Sequence, residues 1–168
     1  MDGSMPIPAN DVIRELFERK SVRAFSDEPV TREEELQILE AAIQAPTAGN
    51  EQLYSIIVVR DQTKKEALAV SCDNQPFIAR APLVIAFCAD VRRWYRGFCF
   101  AGSSPREPGV GDFLLAVEDT MIAAQNSVVA AQSLGIGSCY IGDILERCEE
   151  KTRILCCPRW VVPVSVVV

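Results

Sequence analysis

The sequence predicts a single α+β domain in which short buried strands alternate with helices. The chain has 168 residues and 49% hydrophobic content, which is enough for one compact core and short for two. Four apolar runs have the length and composition of buried strands, and patterns of helical period separate them. We therefore treat residues 1–168 as one domain.

Two amphipathic helices are predicted before the first strand. Asn10 can cap the first, which runs to about Lys20 with four apolar residues on one face: Val12, Ile13, Leu16 and Phe17. Thr31 and Glu34 form a T-x-x-E capping box for the second, which continues at helical spacing until Pro46.

The middle of the chain is predicted as strand, helix, strand and a long loop. "LYSIIVVRD" and "APLVIAFCAD" are the strands, and "TKKEALAVS" between them is a short helix. Residues 91–111 are rich in Gly, Pro, Ser and Arg, which is typical of a lid, a binding loop or a mobile segment. Its aromatic residues either shape a pocket or pin the loop to the core: Trp94, Tyr95, Phe98 and Phe100.

The longest helix is predicted from a cap at Asp112 to Gly135. It is apolar on nearly every face, so we expect part of it to meet a second subunit. "IGSCYIG", "LERCEEKTRILC" and "RWVVPVSVVV" then predict a strand, a helix and a strand. Because Val168 lies within an apolar run, we expect that a segment which normally follows is missing.

Charge and composition exclude several classes of function. Lys and Arg total 17 against 23 Asp and Glu, a net charge of −6, which disfavours nucleic acid or an acidic membrane as partner. The sequence shows no targeting pattern and no transmembrane run, which predicts a cytoplasmic protein. The seven cysteines form no CxxC pair, so we expect reduced, mostly buried thiols and no metal site.

The chain contains no histidine. This excludes Ser-His-Asp and Cys-His catalysis, together with histidine-ligated zinc. We therefore assign no catalytic side chain, and expect a bound cofactor to supply the chemistry of any enzymatic activity.

A basic cluster follows the first helix and is formed by Arg19, Lys20, Ser21 and Arg23. These three cations and one hydroxyl lie within a five-residue segment of a chain whose net charge is negative. Such a segment can bind a phosphate, because a guanidinium group can donate two hydrogen bonds to the phosphate oxygens. The alternative is a solvated basic helix end that complements the helix dipole.

A second candidate site is the stretch between the second helix and the first strand, which we call the join (residues 46–52). Its small residues allow backbone to approach a flat ring, and its amides offer donors and acceptors to the ring's polar edge. The alternative is an ordinary polar turn. The candidate binding residues in the join are Pro46, Thr47, Ala48, Gly49, Asn50 and Gln52.

Four segments together resemble the nitroreductase family of FMN-dependent flavoproteins. They are "ERKSVRAFSDEPV", "APTAGNEQLYSII", "NQPFIARAPLVIAF" and "AAQSLGIGSCYIGDI", in that order, and the resemblance covers Asn10 to Val168. The chain departs from the commoner family pattern at Leu53 and Tyr54, where Pro-Trp is usual. The departure leaves the fold in place and puts any inherited substrate preference in doubt.

The resemblance implies a three-layer α/β/α fold with a mostly antiparallel central sheet, and a homodimer with FMN at the subunit interface. It implies that Arg19 and Arg23 bind the FMN phosphate and that Gln75 faces the flavin ring. Further flavin contacts through the backbone are implied for Tyr140, Ile141 and Gly142. In the family's cycle NAD(P)H reduces the flavin, which then reduces a small-molecule acceptor such as a nitroaromatic or a quinone.

Three other functions stay open from the sequence. One is a related flavin activity such as reductive dehalogenation, and the second is a catalytically silent FMN-binding or scaffold homologue. The third is a domain that binds an apolar ligand other than flavin.

Overall fold

The computed structural model describes residues 10–168, and its centre is a four-stranded antiparallel sheet. The strands are β1 (Tyr54–Val58), β2 (Ile85–Asp90), β3 (Tyr140–Ile141) and β4 (Val161–Val167). Their order across the sheet is β1-β2-β4-β3, so the chain's last strand lies inside the sheet. All four predicted strands are present, although β3 is only two residues long.

The strand register places the join and β3 at opposite corners of the sheet. Tyr54, two residues after the join, pairs with Ala89, whereas Val58 at the far end of β1 pairs with Ile85. Ile85 pairs with Val167, which pairs with Tyr140. Tyr54 and Tyr140 are therefore three strand spacings apart across the sheet and four residues apart along the strands. These two displacements together correspond to a distance of roughly 19 Å.

Seven α-helices complete the described part of the chain. Their bounds are α1 Asp11–Glu18, α2 Arg32–Ile43, α3 Gln62–Ser71, α4 Pro76–Arg80, α5 Arg92–Phe100, α6 Val110–Ser133 and α7 Cys148–Ile154. The predicted caps of the first two are confirmed. The side chain of Asn10 accepts from the amide of Ile13, and Thr31 and Glu34 form a reciprocal capping box.

Helices cover both faces of the sheet, which confirms the three-layer α+β architecture. On one face α2 and α6 pack against alternate residues of β2, such as Ile85 and Phe87. On the other face α3, α4 and α7 enclose a second cluster with Ala86 and Val166. The faces alternate because successive side chains of a strand point in opposite directions.

Two predictions about residues 91–112 are wrong. The segment is not a continuous loop, because Arg92–Phe100 forms α5; the Gly and Pro residues that suggested a loop mostly follow it. Asp112 is not the N-cap residue of α6, because the helix begins at Val110 after the N-cap Gly109, and Asp112 is its third residue. Its carboxylate instead accepts from the Gly109 amide at 2.7 Å and from Arg106 at 2.6 and 2.8 Å, and the Arg106 bonds lower the pKa of Asp112 to about 2.

The prediction of mostly buried cysteines is also wrong. All seven are free thiols, but only Cys72, Cys88 and Cys139 are buried. Cys148 and Cys157 are half-buried, and the remaining two lie at the surface: Cys99 and Cys156. Between residues 10 and 168, no helix has the length and apolarity needed to cross a bilayer.

Exposed apolar side chains are concentrated on α1, α2 and α6. No residue of α1 is buried, and Phe17 is 60% exposed. The other exposed apolar side chains of these helices are Val12, Ile13, Leu16, Leu36, Ile43, Val110, Leu114, Met121 and Ile122. Patches of this kind usually mark protein interfaces.

Candidate functional site

Three of the four sequence-predicted segments come together at the β3 corner of the sheet. The amide of Val22 donates to the carbonyl of Ser138 at 3.0 Å, and Ser21 forms a parallel bridge with Ser138. The guanidinium carbon of Arg19 lies 5.6 Å from the centre of the Tyr140 ring. That of Arg23 lies 6.0 Å from the centre of the Phe77 ring, just after Gln75.

The basic cluster forms no ion pair among the described residues 10–168. Within residues 10–168, no carboxylate oxygen lies within 4.0 Å of a side-chain nitrogen of Arg19, Lys20 or Arg23. The Nε atom of Arg19 is buried and has no hydrogen-bond partner among these residues. Buried polar groups are normally hydrogen-bonded, so an orphaned guanidinium N–H points to an acceptor outside the protomer.

Tyr140 stands beside this cluster with its ring half-buried. Burial raises the pKa of its hydroxyl to about 12, and the positive charge of Arg19 opposes that rise. Its hydroxyl donates to the side-chain oxygen of Gln125 at 3.1 Å. Tyr140 therefore stays a neutral phenol at physiological pH.

Gln75 is held by two acceptors. Its Nε2 donates to the carbonyl of Cys72 at 2.8 Å and to the carboxylate of Asp143 at 2.6 Å. Because both partners are acceptors, the amide nitrogen must face them, and Oε1 is the part of the group left for a ligand. The sequence offered no sign of the Gln75–Asp143 pair.

Ile141 and Gly142 differ in what they can offer a ligand. The side chain of Ile141 packs into the core, so only its backbone is available. Gly142 is exposed, and a Cβ built on it would meet nothing within 4 Å. The stretch after Tyr140 therefore presents backbone and open space to a ligand.

The join adopts an unusual backbone conformation. Gly49, Asn50 and Gln52 have φ values of 56°, 55° and 52°, in the left-handed region that non-glycine residues rarely adopt. Ala48–Asn50 form a short 3₁₀ turn, and the amide of Gln52 donates to the hydroxyl of Thr47 at 3.3 Å. Pro46 and Asn50 are exposed, whereas Thr47, Ala48 and Gln52 are half-buried.

Sequence reasoning named Trp94 as a residue that shapes a pocket or pins its segment to the core, but missed the other residues that hold the join. On α6, the buried carboxylate of Asp119 accepts from the amides of Ala48 and Leu53. On α5, Arg93 donates to the carbonyls of Gln52 and Tyr54, and Trp94 donates to that of Glu51 at 2.7 Å. One signal was available for Asp119, because it lies at helical spacing from the buried Ala116 and Ala123.

A cavity of about 380 Å³ adjoins the β3 corner, between the extended segment that starts at Val22, α2 and the end of α6, and its lining includes Gly137 and Ser138. None of the sequence-predicted binding residues lines it. A site shared between two subunits would not form a closed cavity in one protomer. We therefore assign the candidate site to the β3 corner and the join, and not to this cavity.

Comparisons with known proteins identify the fold. The family model described as "Nitroreductase family" matches residues 16–167. The chain belongs to the nitroreductase family. A solved structure of the NfrA1 nitroreductase from B. subtilis superposes with a TM-score of 0.90 at 33% identity, covering 94% of this chain and 64% of that one.

Two curated relatives show the extent of the match. The chain is 34% identical to an FMN reductase [NAD(P)H] of Bacillus subtilis, over 93% of this chain and 64% of the relative. It is 35% identical to an oxygen-insensitive NADPH nitroreductase of Salmonella typhimurium, over 86% of this chain and 58% of the relative. The chain thus spans about three fifths of the length of these two relatives.

Proposed function

We propose that the protein is an FMN-dependent oxidoreductase that takes electrons from NAD(P)H and passes them to a small electrophile such as a nitroaromatic or a quinone. The observation that carries the proposal is the basic cluster at the β3 corner. Arg19 has a buried, unpartnered Nε, and Arg19, Lys20 and Arg23 lack acidic partners within residues 10–168. These residues fit a phosphate monoester, because guanidinium groups bind phosphate through charge-assisted hydrogen bonds.

The ring of the flavin would lie beyond the phosphate, against the backbone of Tyr140, Ile141 and Gly142 and near the free oxygen of Gln75. The join supplies the amides of Asn50 and Gln52 for the polar edge of the ring. In one protomer, however, the start of β1 lies roughly 19 Å from Tyr140 at the opposite corner of the sheet. We infer that the join of a second copy completes each site.

The exposed apolar face supports a homodimer. The uncovered side chains of α1, α2 and α6 give a second copy a surface to bury, as stable subunit interfaces require. The same face contains the outer side of α6, whose excess of apolar residues predicted a subunit contact. In a two-fold dimer the same surface of each protomer is used, so two equivalent sites form.

When bound, FMN would supply the redox chemistry, which is the transfer of electrons from NAD(P)H to the acceptor. The chain's part is to anchor the phosphate with Arg19 and Arg23, fix the ring against the β3 corner and cover it with the join. No side chain is needed as an acid or base, which agrees with a sequence that contains no histidine. The names of the two curated relatives support FMN and NAD(P)H as cofactor and donor.

The experiment is reconstitution of the purified protein with FMN, followed by anaerobic titration with NADH and with NADPH. We expect stoichiometric FMN binding, bleaching of the flavin absorbance by one of the nucleotides, and reoxidation by nitroaromatic or quinone acceptors. Failure of FMN to bind or to raise the unfolding temperature would contradict the proposal. Binding without reduction by either nucleotide would favour the catalytically silent alternative.

We also propose a cytoplasmic location and a single domain over residues 1–168. A reducing compartment keeps thiols free, and none of the seven cysteines is paired in a disulfide. Fractionation of the native host and limited proteolysis test these two points. Recovery of the protein outside the cytoplasm, or two separately stable fragments, would contradict them.

A further inference from the structure

Asp119 is a buried carboxylate for which the proposed chemistry has no direct use. It lies in the middle of α6 and is 2% exposed. Within residues 10–168, no Lys or Arg nitrogen comes within 4.0 Å of its oxygens. Burying a charge without a cation is costly unless hydrogen bonds compensate, so the contacts of this carboxylate identify its role.

Both carboxylate oxygens accept from backbone amides at the join. Oδ1 accepts from the amide of Ala48 at 3.0 Å, and Oδ2 accepts from the amide of Leu53 at 3.3 Å. These two amides lie 71 and 66 residues away from Asp119 in sequence. Asp119 therefore bridges the two ends of the stretch that contains Gly49, Asn50 and Gln52.

The stretch between the two amides is the strained part of the join. The left-handed backbone of Asn50 and Gln52 persists only where the surrounding structure imposes it. On the side of α5, Arg93 and Trp94 hold the carbonyls of Gln52 and Glu51. Asp119 holds amides from the side of α6, so the join is fixed through both kinds of backbone group.

We propose that Asp119 is a positioning residue for the flavin site. Its carboxylate fixes the separation of Ala48 and Leu53, and through it the direction in which Asn50 and Gln52 present their amides to the ring. Asp119 itself touches no part of the ligand. The inference rests on the proposed flavin-binding function, and it assigns this function a residue outside the predicted binding segments.

The test compares D119N with S127A. Asparagine has nearly the same shape but offers one acceptor oxygen, so one of the two amides would face an N–H group. We expect D119N to weaken the binding of FMN and of riboflavin alike by roughly tenfold, because the join meets the ring and not the phosphate. Ser127 lies buried on the same helix and donates only to the carbonyl of Ala124, so S127A should leave both affinities within about twofold.

Two further measurements separate positioning from a general loss of stability. At saturating flavin, D119N should shift the absorbance bands of the bound ring, whereas S127A should not. In the flavin-free protein, D119N should speed hydrogen exchange at the amides of Ala48 and Leu53, while the core strand β2 stays protected. Unchanged flavin affinity and unchanged exchange in D119N would overturn the proposal.

The exchange measurement also distinguishes the two proposals. If wild-type protein binds no flavin, the proposed function fails, yet faster exchange at Ala48 and Leu53 in D119N still shows that Asp119 holds the join. If D119N does not fold, D119E serves instead, since it keeps both acceptors but moves them by one methylene. We then expect weaker flavin binding than in wild type, and wild-type affinity in D119E would overturn the proposal.

Discussion

A Cβ atom built on Gly137 would lie 2.6 Å from Cγ2 of Val22. The absence of a side chain at Gly137 lets the segment that carries the basic cluster lie directly on the residues before β3. The hydrogen bond from Val22 to Ser138 depends on this approach. Gly137 therefore helps place Ser21 and Arg23 beside the proposed flavin site.

The first prediction concerns this close approach. We expect G137A to destabilise the protein by about 1–3 kcal/mol, the usual cost of overpacking, and to weaken FMN binding because Val22 must move. Thermal unfolding and FMN titration measure the two effects. G97A is the control, because a Cβ at Gly97 in α5 meets nothing within 4 Å. Equal stability and FMN affinity of the two variants would refute the role of Gly137.

The second prediction concerns the phosphate. Replacing Arg19 or Arg23 by Ala should remove a charge-assisted hydrogen bond of about 1.5–3 kcal/mol and so weaken FMN binding by roughly 10- to 150-fold. Riboflavin lacks the phosphate, so its affinity should change little in the same variants.

The matched control for these variants is R80A, since Arg80 is an exposed arginine at the end of α4. R80A should bind FMN as wild type does. If R19A and R23A weakened riboflavin as much as FMN, the arginines would not be phosphate ligands.

The third prediction concerns Gln75. In Q75E, a carboxylate would replace the amide that donates to Asp143 and to the carbonyl of Cys72. The new carboxylate oxygens cannot donate, so both hydrogen bonds would be lost. We expect weaker FMN and riboflavin binding and a lower unfolding temperature, measured by titration and by thermal scans. Q37E adds the same charge at an exposed position of α2 and should change neither quantity appreciably. Identical behaviour of Q75E and Q37E would count against a role for Gln75.

The fourth prediction concerns the exposed apolar face. A charge at Phe17, as in F17E, should disfavour burial of this face against a second copy, so the protein should become monomeric and lose flavin. Sedimentation velocity and the FMN content measure the outcome. V70E is the control, because Val70 is 66% exposed on α3, in the opposite layer. A monomeric wild-type protein, or a dimer unaffected by F17E, would disagree with the proposed interface.

The sequence was informative wherever a local pattern determined the structure. Helical spacing and the capping pair Thr31 and Glu34 placed α2 correctly, and β-branched runs placed β1, β2 and β4. The helix α5 was missed because residues 91–111 were interpreted as one segment. Gly, Pro and Ser at residues 102–111 dominate the composition of that segment and concealed the helical residues before them.

Contacts between distant parts of the chain could not be predicted in this way. Nothing near Gln75 indicates that Asp143 lies 2.6 Å away, because the folded sheet and not the local sequence brings them together. Asp119 could be predicted in part. A carboxylate at helical spacing from buried alanines is expected to be buried and therefore hydrogen-bonded, but the sequence does not show which groups donate to it.

The central claim is that each flavin site combines the β3 corner of one subunit with the join of the other. Subunit mixing tests it most directly, using R19A/R23A and N50G/Q52G. Glycine keeps the left-handed backbone at positions 50 and 52 while removing both amide side chains. Each variant alone should bind FMN poorly.

After the two variants are mixed, unfolded and refolded together, a mixed dimer should contain one intact site and one doubly altered site. FMN titration of the mixture should then reveal a class of sites with wild-type affinity that neither variant shows alone. If both segments of a site came from the same subunit, every site would carry one defect, and no high-affinity class would appear after mixing.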